Sequence, residues 1–137
     1  MRYRTATALC LSVATLLAVA PSAVLAGEAK GEGTKFYTEY RAAFAKAKAI
    51  EDILPYMAKE RVAQVEATPK EERAKMFEMV KMMEVKDVKV TKETKTEKGF
   101  TLDVTGTGGL GGGPSTGTIT LVREDGKLKI EKESWKN

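Results

Sequence analysis

The chain has 137 residues, with 23 lysine and arginine residues, 19 aspartate and glutamate residues, one cysteine and no histidine, and its net charge is +4. The absence of histidine excludes a Ser-His-Asp triad and the histidine-containing zinc sites. The charges alternate in sign and form no basic block, so nucleic-acid binding is not expected.

Residues 1–26 are predicted to be a cleaved signal peptide. Arg2 and Arg4 precede an apolar run over 6–20, and small residues lead to a cleavage site after Ala26. The run is shorter than the roughly 20 residues that cross a membrane, so no membrane span is expected after cleavage. Cys10 would leave with this segment, which excludes disulfides and thiol nucleophiles. The mature protein is therefore expected to be periplasmic or secreted.

The rest of the chain is expected to form one domain over 34–137, after a flexible, glycine-containing lead-in over 27–33. Thr34 is a candidate cap for a first helix over 36–48. A second, shorter helical piece around Ile50 to Met57 is expected to bend at Pro55, and a further helical run reaches about Ala67.

Thr68-Pro69-Lys70-Glu71 is a strong helix start signal, because Thr68 can act as the N-cap and Glu71 can close a capping box. The helix that it opens is predicted to end near Met83. Its apolar stripe consists of Ala74, Met76, Phe77, Val80 and Met83.

After Glu84 the apolar period changes from about 3.6 to 2, which predicts strands. The expected strands cover 85–96, 100–105, 116–124 and 128–135, and Glu124-Asp125-Gly126 is a hairpin turn signal. Helices followed by consecutive, closely linked strands predict an α+β fold with a four-stranded antiparallel sheet.

Gly106 to Gly117, "GTGGLGGGPSTG", contains the spacing G-x-G-x-x-G of dinucleotide-binding loops. Such a loop needs a helix after its last glycine, because the helix N-terminus supplies the positive potential for the pyrophosphate. The residues from Thr116 to Leu121 are β-branched and alternating, which predicts a strand instead. The segment is therefore predicted to be a solvent-exposed hairpin tip, and no cofactor is expected.

Met76, Met79, Met82 and Met83 allow two interpretations. Clustered thioethers can bind Cu(I) in exported proteins. Methionine is also a common filler of irregular cores, and a spacing of three residues drifts around a helix. Core packing is the favoured interpretation, and no metal site is predicted.

The candidate carboxylates for chemistry are Asp52 and Asp103, each combined with a tyrosine. Asp103 alternates with Leu102 and Val104, so it should point away from the core. Asp52 starts a helical piece, where a capping role suffices. No catalytic residue is therefore assigned.

Two segments resemble small exported members of the nuclear transport factor 2-like superfamily, in the branch of lumazine-binding-like domains and domains of unknown function. "GTITLVREDGKLKIEKESW" (Gly117 to Trp135) looks like their C-terminal hairpin, and "DILPYMAKERVAQV" (Asp52 to Val65) is similar to their second helical segment. Leu128 departs from the pattern, since these proteins often carry Trp there. The resemblance implies a cone-like curved sheet with helices in its concave face, sometimes around a pocket.

That superfamily includes isomerases, dehydratases, cyclases and non-catalytic binding modules, so the resemblance does not assign an activity. The leading hypothesis is a non-enzymatic exported domain, monomeric or homodimeric, that binds a small apolar ligand or a protein partner. The alternatives are a lyase or isomerase that uses a pocket carboxylate and a tyrosine, and a dimer formed through an exposed apolar sheet face. The predicted pocket lining consists of Tyr37, Tyr40, Phe44, Tyr56, Phe77 and Trp135.

Overall fold

The computed structural model describes residues 30–109 and 111–136. The predicted signal peptide and residues 27–29 of the predicted lead-in lie outside these ranges. The helical elements are α1 (Glu32–Lys46), a 3-10 helix (Ile50–Tyr56), α2 (Lys59–Ala67) and α3 (Lys70–Met82). The strands are β1 (Val85–Lys95), β2 (Gly99–Gly108), β3 (Pro114–Glu124) and β4 (Lys127–Lys136). The predicted α+β class, with helices before an antiparallel four-stranded sheet, is confirmed.

The sheet is an antiparallel meander in the order β1-β2-β3-β4. One of its faces forms the core, as expected for a one-sided antiparallel sheet. The apolar members of each strand alternate onto that face, and Leu102, Ile119, Leu121 and Ile130 are all 0% exposed. Phe100, Leu102 and Val104 face the core as their alternation predicted.

Helix α1 lies against this face through Tyr37, Tyr40 and Phe44, which are all buried. Their rings form a continuous row, with centroids 5.8 Å apart for the first pair and 6.0 Å for the second. The spacing of three and four residues places them on one side of the helix. α1 and the sheet therefore share one hydrophobic core.

The start of α1 differs from the prediction. The helix begins at Glu32, so Gly33 is not part of a flexible lead-in; a Cβ on it would lie 3.1 Å from the Phe100 ring. Thr34 is not the N-cap, because Glu93 of β1 takes that role. Its carboxylate accepts hydrogen bonds from the Thr34 backbone N–H at 2.8 Å, the Thr34 hydroxyl at 2.6 Å and the Gly33 N–H at 3.3 Å. A residue 59 positions away supplies the cap, so local sequence did not reveal it.

The predicted capping box at the start of α3 is wrong. The Thr68 hydroxyl donates a hydrogen bond backwards to the Gln64 carbonyl at 3.0 Å, and the N-cap position belongs to Pro69, which has no side-chain cap. Thr68 instead closes the end of α2, where its hydroxyl satisfies a carbonyl that the helix leaves free.

The predicted packing of α3 is also wrong. Among the described residues of α3, only Phe77 is buried. Exposure is between 39% and 77% for the other large apolar side chains here, which are Met76, Met79, Val80, Met82 and Met83. The other contacts of α3 include hydrogen bonds from long cationic side chains to backbone carbonyls. Lys81 donates to the Phe44 carbonyl at 2.8 Å, near the end of α1, and Arg73 donates to the Thr68 carbonyl at 2.8 Å. The methionine stripe therefore faces outwards rather than into the core.

The glycine segment joins β2 to β3, but the exposed tip is shorter than predicted, because Gly106 to Gly108 and Pro114 to Gly117 are strand residues and Ser115 is 1% exposed. The Gly108 N–H donates to the Gly113 carbonyl at 3.0 Å, and β3 begins at Pro114. No helix starts in the described part of this segment, so it lacks the helix N-terminus of a nucleotide-binding loop. Gly108, Gly109 and Gly112 have positive φ angles, which explains the use of glycine in this turn.

Candidate functional site

A cavity of about 510 Å³ lies between the C-terminal half of α1, the start of α2, the end of α3 and the end of β4. This volume falls in the range of small-molecule sites, which is about 300–1,000 Å³. The residues that line it are Tyr40, Arg41, Phe44, Arg61, Val80, Met83, Glu84, Val85, Gly109, Glu133 and Trp135.

A β-bulge in β4 points two of these residues into the cavity. Ile130 pairs with Leu121, but the next position of β3, Thr120, pairs with Lys132, so Glu131 is the extra residue. Beyond the bulge the inward positions change from even to odd numbers. Glu133 and Trp135 therefore continue the inner face of the sheet that Ile130 occupies before the bulge.

Glu133 carries a carboxylate oxygen that is buried and has no hydrogen-bond partner in the described part of the chain. The side chain as a whole is half-buried, but its Oε1 atom is out of contact with solvent. Burial raises the pKa of the carboxyl, because a buried charge loses its hydration. The charges of Arg61 and Arg41 lower this pKa again, and so do hydrogen bonds from the Trp135 and Tyr40 side chains to the carboxyl.

Two tyrosines of α1 stand next to this carboxyl. Burial, and secondarily the charge of Glu133, raises the pKa of both Tyr37 and Tyr40 well above the usual range of tyrosine. Both hydroxyls therefore keep their protons at any physiological pH and remain able to donate a hydrogen bond. The Tyr37 hydroxyl is buried and, within the described ranges, has no partner.

Arg41 is fixed by groups at the end of α3. Its Nη2 atom lies 3.1 Å from Oε1 of Glu84 and also donates to the Val85 carbonyl. Its guanidinium lies 5.7 Å from the centre of the Phe44 ring, within range of a cation–π contact. The charge of Arg41 is thus already balanced inside the protein.

Arg61 is different. It is half-buried on α2 and forms no ion pair or hydrogen bond with any group in the described part of the chain. It borders the cavity on one side and, on the other, a surface groove that also contains Glu60, Glu124 and Glu131. None of these carboxylates pairs with it, but its charge acts on Glu133, which borders both the cavity and this groove.

The structure does not gather the six predicted pocket residues in one place. Tyr40, Phe44 and Trp135 line the cavity. Tyr37 lies deeper in the core and borders a separate depression beside β1. Tyr56 packs on Phe36, with ring centroids 6.0 Å apart, and borders a different groove.

Phe77, the sixth predicted residue, is buried against Phe44 rather than in the cavity wall. Their rings meet edge to face, with centroids 6.0 Å apart and planes at 71°. This geometry is favourable for an aromatic pair. Phe77 therefore supports a cavity residue from behind.

The two carboxylates singled out from the sequence do not reach a cavity. Asp103 is exposed on the outer face of the sheet, as its alternation predicted. Asp52 is exposed, and its Oδ2 atom accepts hydrogen bonds from the N–H groups of Lys48 at 2.9 Å and Ala49 at 3.2 Å. These bonds lower the pKa of Asp52 and confirm its capping role.

Sequence reasoning missed the four charged residues of the cavity, Arg41, Arg61, Glu84 and Glu133. Because Leu128 and Ile130 alternate, the odd positions of β4, including Glu133, are expected to face solvent. No residue in β4 indicates the bulge that changes this pattern. Arg41 follows Tyr40 in a helix, where a charged residue usually lies at the edge of the apolar face.

The described residues contain no cluster of acidic side chains that would hold a metal ion.

The exposed apolar side chains of α3 continue to the rim of the cavity. Val80 and Met83 line the cavity, while Met76, Met79 and Met82 lie outside it. No apolar sheet face is exposed among the described residues, since the large exposed hydrophobic side chains all belong to α3 or directly follow it.

Comparisons with protein-family models, with curated proteins and with solved structures each find no match to this chain. In the described ranges, no helix is both long and apolar enough to cross a membrane.

Proposed function

We propose that this chain is an exported, non-enzymatic domain that binds a small organic molecule in the cavity between α1, α3 and β4. The observation that carries the proposal is the cavity itself, which has about 510 Å³ of space and a buried carboxylate oxygen without a partner. Ligand sites are typically apolar clefts in which a few polar groups converge. This cavity combines aromatic and aliphatic side chains with four charged ones, so it is more polar than a typical ligand site.

The lining favours an amphipathic ligand rather than a purely apolar one. Tyr40, Phe44 and Trp135 offer aromatic surface, and Val80 and Met83 offer aliphatic surface at the rim. Charged groups face the same space, and a purely apolar ligand would remove their water without replacing its hydrogen bonds. The ligand therefore carries a polar group as well as an apolar body.

The exported location and the membership of the nuclear transport factor 2-like superfamily are parts of the same proposal. They rest on the signal-peptide pattern of residues 1–26 and on the resemblance of two segments. Helices that cover one face of an antiparallel sheet are compatible with that superfamily's cone.

Native mass spectrometry of residues 27–137, secreted by the expression host, tests this function. We expect a retained small molecule that leaves on denaturation. Val80→Trp places a large ring at the cavity rim and should abolish retention. Met82→Trp is the matched control, because Met82 is 77% exposed on the same helix and does not line the cavity.

A bare wild-type mass under gentle conditions would contradict the binding proposal. If that bare species were a dimer, and Met82→Trp or Val80→Trp dissociated it, the exposed side chains of α3 would be an interface instead. Equal retention by both variants would place the ligand outside this cavity.

A second candidate function, a lyase or isomerase, is favoured by one observation: Glu133 and Tyr40 line the same cavity, and burial raises the pKa values of both. A raised pKa makes the ionised carboxylate a stronger base, and a protonated tyrosine can donate to a carbonyl oxygen. In heavy water, a ketone bound to the wild-type protein should then gain deuterium at the carbon next to its carbonyl. A ketone bound to Glu133→Gln should not. Equal exchange in both proteins would exclude this candidate.

A further inference from the structure

The charges of the cavity indicate which polar group its ligand carries. Four charged side chains line it, Arg41, Glu84, Arg61 and Glu133. Arg41 and Glu84 pair with each other at 3.1 Å and cancel. The chemistry open to a ligand is therefore that of Arg61 and Glu133.

Arg61 offers a positive charge that no ion pair or hydrogen bond in the described ranges takes up, although it acts on the pKa of Glu133 across the cavity. Its guanidinium borders the cavity and has no ion-pair partner in the described ranges, although acidic side chains lie in the neighbouring groove. Arginine presents several N–H donors in a planar fork that matches a carboxylate. A half-buried arginine without a partner leaves this capacity unsatisfied, and an anion in the cavity would satisfy it.

Glu133 strengthens the preference for an anion when it is protonated. Burial favours the neutral carboxylic acid, which donates one hydrogen bond. Its Oε1 atom is buried at the cavity and has no partner in the described ranges. Because burial disfavours the charged form of Glu133, this carboxyl compensates the charge of Arg61 less than an exposed carboxylate would.

We propose that the cavity binds a small organic carboxylate, with its carboxylate group at Arg61 and Glu133 and its apolar body against Trp135, Tyr40 and the rim residue Val80. This inference rests on the proposed binding function and narrows its ligand class. It makes Arg61 the residue that selects the charge of the ligand.

The test uses ligands that share a body and differ in their head group. Octanoate, octan-1-ol and octyltrimethylammonium are titrated into residues 27–137 at low salt, and calorimetry measures their affinities. Because Trp135 is the only tryptophan of the chain and lines the cavity, its fluorescence reports whether the cavity is occupied. Benzoate, benzyl alcohol and benzylammonium form a parallel aromatic series. We expect the carboxylates to bind about 10-fold or more tightly than the matched alcohols, as a charge-assisted hydrogen bond allows.

Arg61→Gln should reduce each carboxylate to the affinity of its alcohol, and Arg61→Lys should restore part of the difference. The matched control is Arg123→Gln, because Arg123 pairs with Glu32 at 2.8 Å and does not line the cavity. It should leave the carboxylate preference unchanged. Circular dichroism of each variant separates loss of binding from loss of folding.

The outcomes distinguish this inference from the function on which it rests. Equal or tighter binding of the alcohols or the ammonium ligands overturns carboxylate recognition and leaves the binding function standing. An undiminished preference in Arg61→Gln overturns the role of Arg61. If neither series binds, a ligand retained in native mass spectrometry shows that only the ligand class is wrong, and a bare protein overturns both.

Discussion

The two halves of the helical layer attach to the sheet in different ways. α1 presents an aromatic row to the sheet, and its Tyr37 side chain is 1% exposed. α2 buries no residue, and α3 buries Phe77 alone within the described ranges. The cavity lies where these two regions meet.

This difference shows that helical periodicity alone does not identify a core helix. α3 has apolar residues at helical spacing, as α1 does, but it is attached through Phe77 and through polar contacts of Lys81 and Arg73. Most of the stabilising burial therefore belongs to α1 and the sheet, since hydrophobic stabilisation scales with the apolar area removed from water. α2 and α3 form the side of the molecule that is free to border a ligand.

The largest effect is expected in the sheet. Leu121→Ala removes a fully buried side chain from the inner face of β3 and should lower the free energy of unfolding by about 3–5 kcal/mol, through lost burial and a cavity. Urea denaturation followed by circular dichroism measures this change. Val80→Ala, at 48% exposure on α3, should stay within about 0.5 kcal/mol. Equal losses would mean that the two regions do not differ.

Phe77→Ala should have a more local effect of about 3 kcal/mol, the lower end of the range for a buried Phe→Ala substitution, because Phe77 is the one buried anchor of α3. It removes the ring that packs on Phe44 and with it the buried anchor of α3. Hydrogen exchange should show lost protection in 70–82 while β2 and β3 keep theirs, because weakly anchored segments open locally. Uniform loss of protection across the sheet would show that α3 belongs to the same cooperative unit as α1.

The smallest effect on the free energy of unfolding is expected for Glu133→Gln, at the junction of the two regions. This substitution should stabilise the protein rather than destabilise it. Because burial raises the pKa of Glu133 in the folded state, the folded protein holds a proton that the unfolded chain releases above about pH 4.3. The contribution of Glu133 to stability is therefore complete below that pH and is lost as the pH rises through the folded-state pKa. Glu133→Gln removes this loss.

Denaturation of wild type and Glu133→Gln between pH 4 and pH 7 should show a growing advantage of the variant. Glu131→Gln, at the exposed bulge of the same strand, is the matched control. A constant difference between wild type and Glu133→Gln would show that Glu133 titrates as in the unfolded chain. The charged and titratable groups that act on Glu133, or line the cavity with it, are Tyr37, Tyr40, Arg41, Arg61 and Glu84.

The sequence predicted the elements well because their signals are local. The alternation of Phe100, Leu102 and Val104 and the turn at Asp125 determine strands within a few residues. The capping of α1 by Glu93 was not predictable in this way, since it depends on the position of β1 against a helix far away in the chain. The same limit applied to the methionines, whose exposure is decided by which side of α3 meets α1.

The cavity was only half predictable. Tyr40, Phe44 and Trp135 were expected from their type, since large aromatic residues often line pockets. Arg61 and Glu133 were not, because each looks like a solvent-exposed residue in its local pattern. Their roles depend on the β4 bulge and on the approach of α2 to the end of the sheet.

The bulge at Glu131 also affects how this chain would align with others. An otherwise similar strand without the extra residue would carry its inward carboxylate two positions after the equivalent of Ile130, whereas Glu133 lies three positions after Ile130 in this chain. An alignment without a gap would then place that carboxylate opposite Lys132 and would place Glu133 opposite an outward residue. A one-residue gap within a strand, which alignment methods usually penalise, is therefore needed to superpose the cavity residues of two such chains.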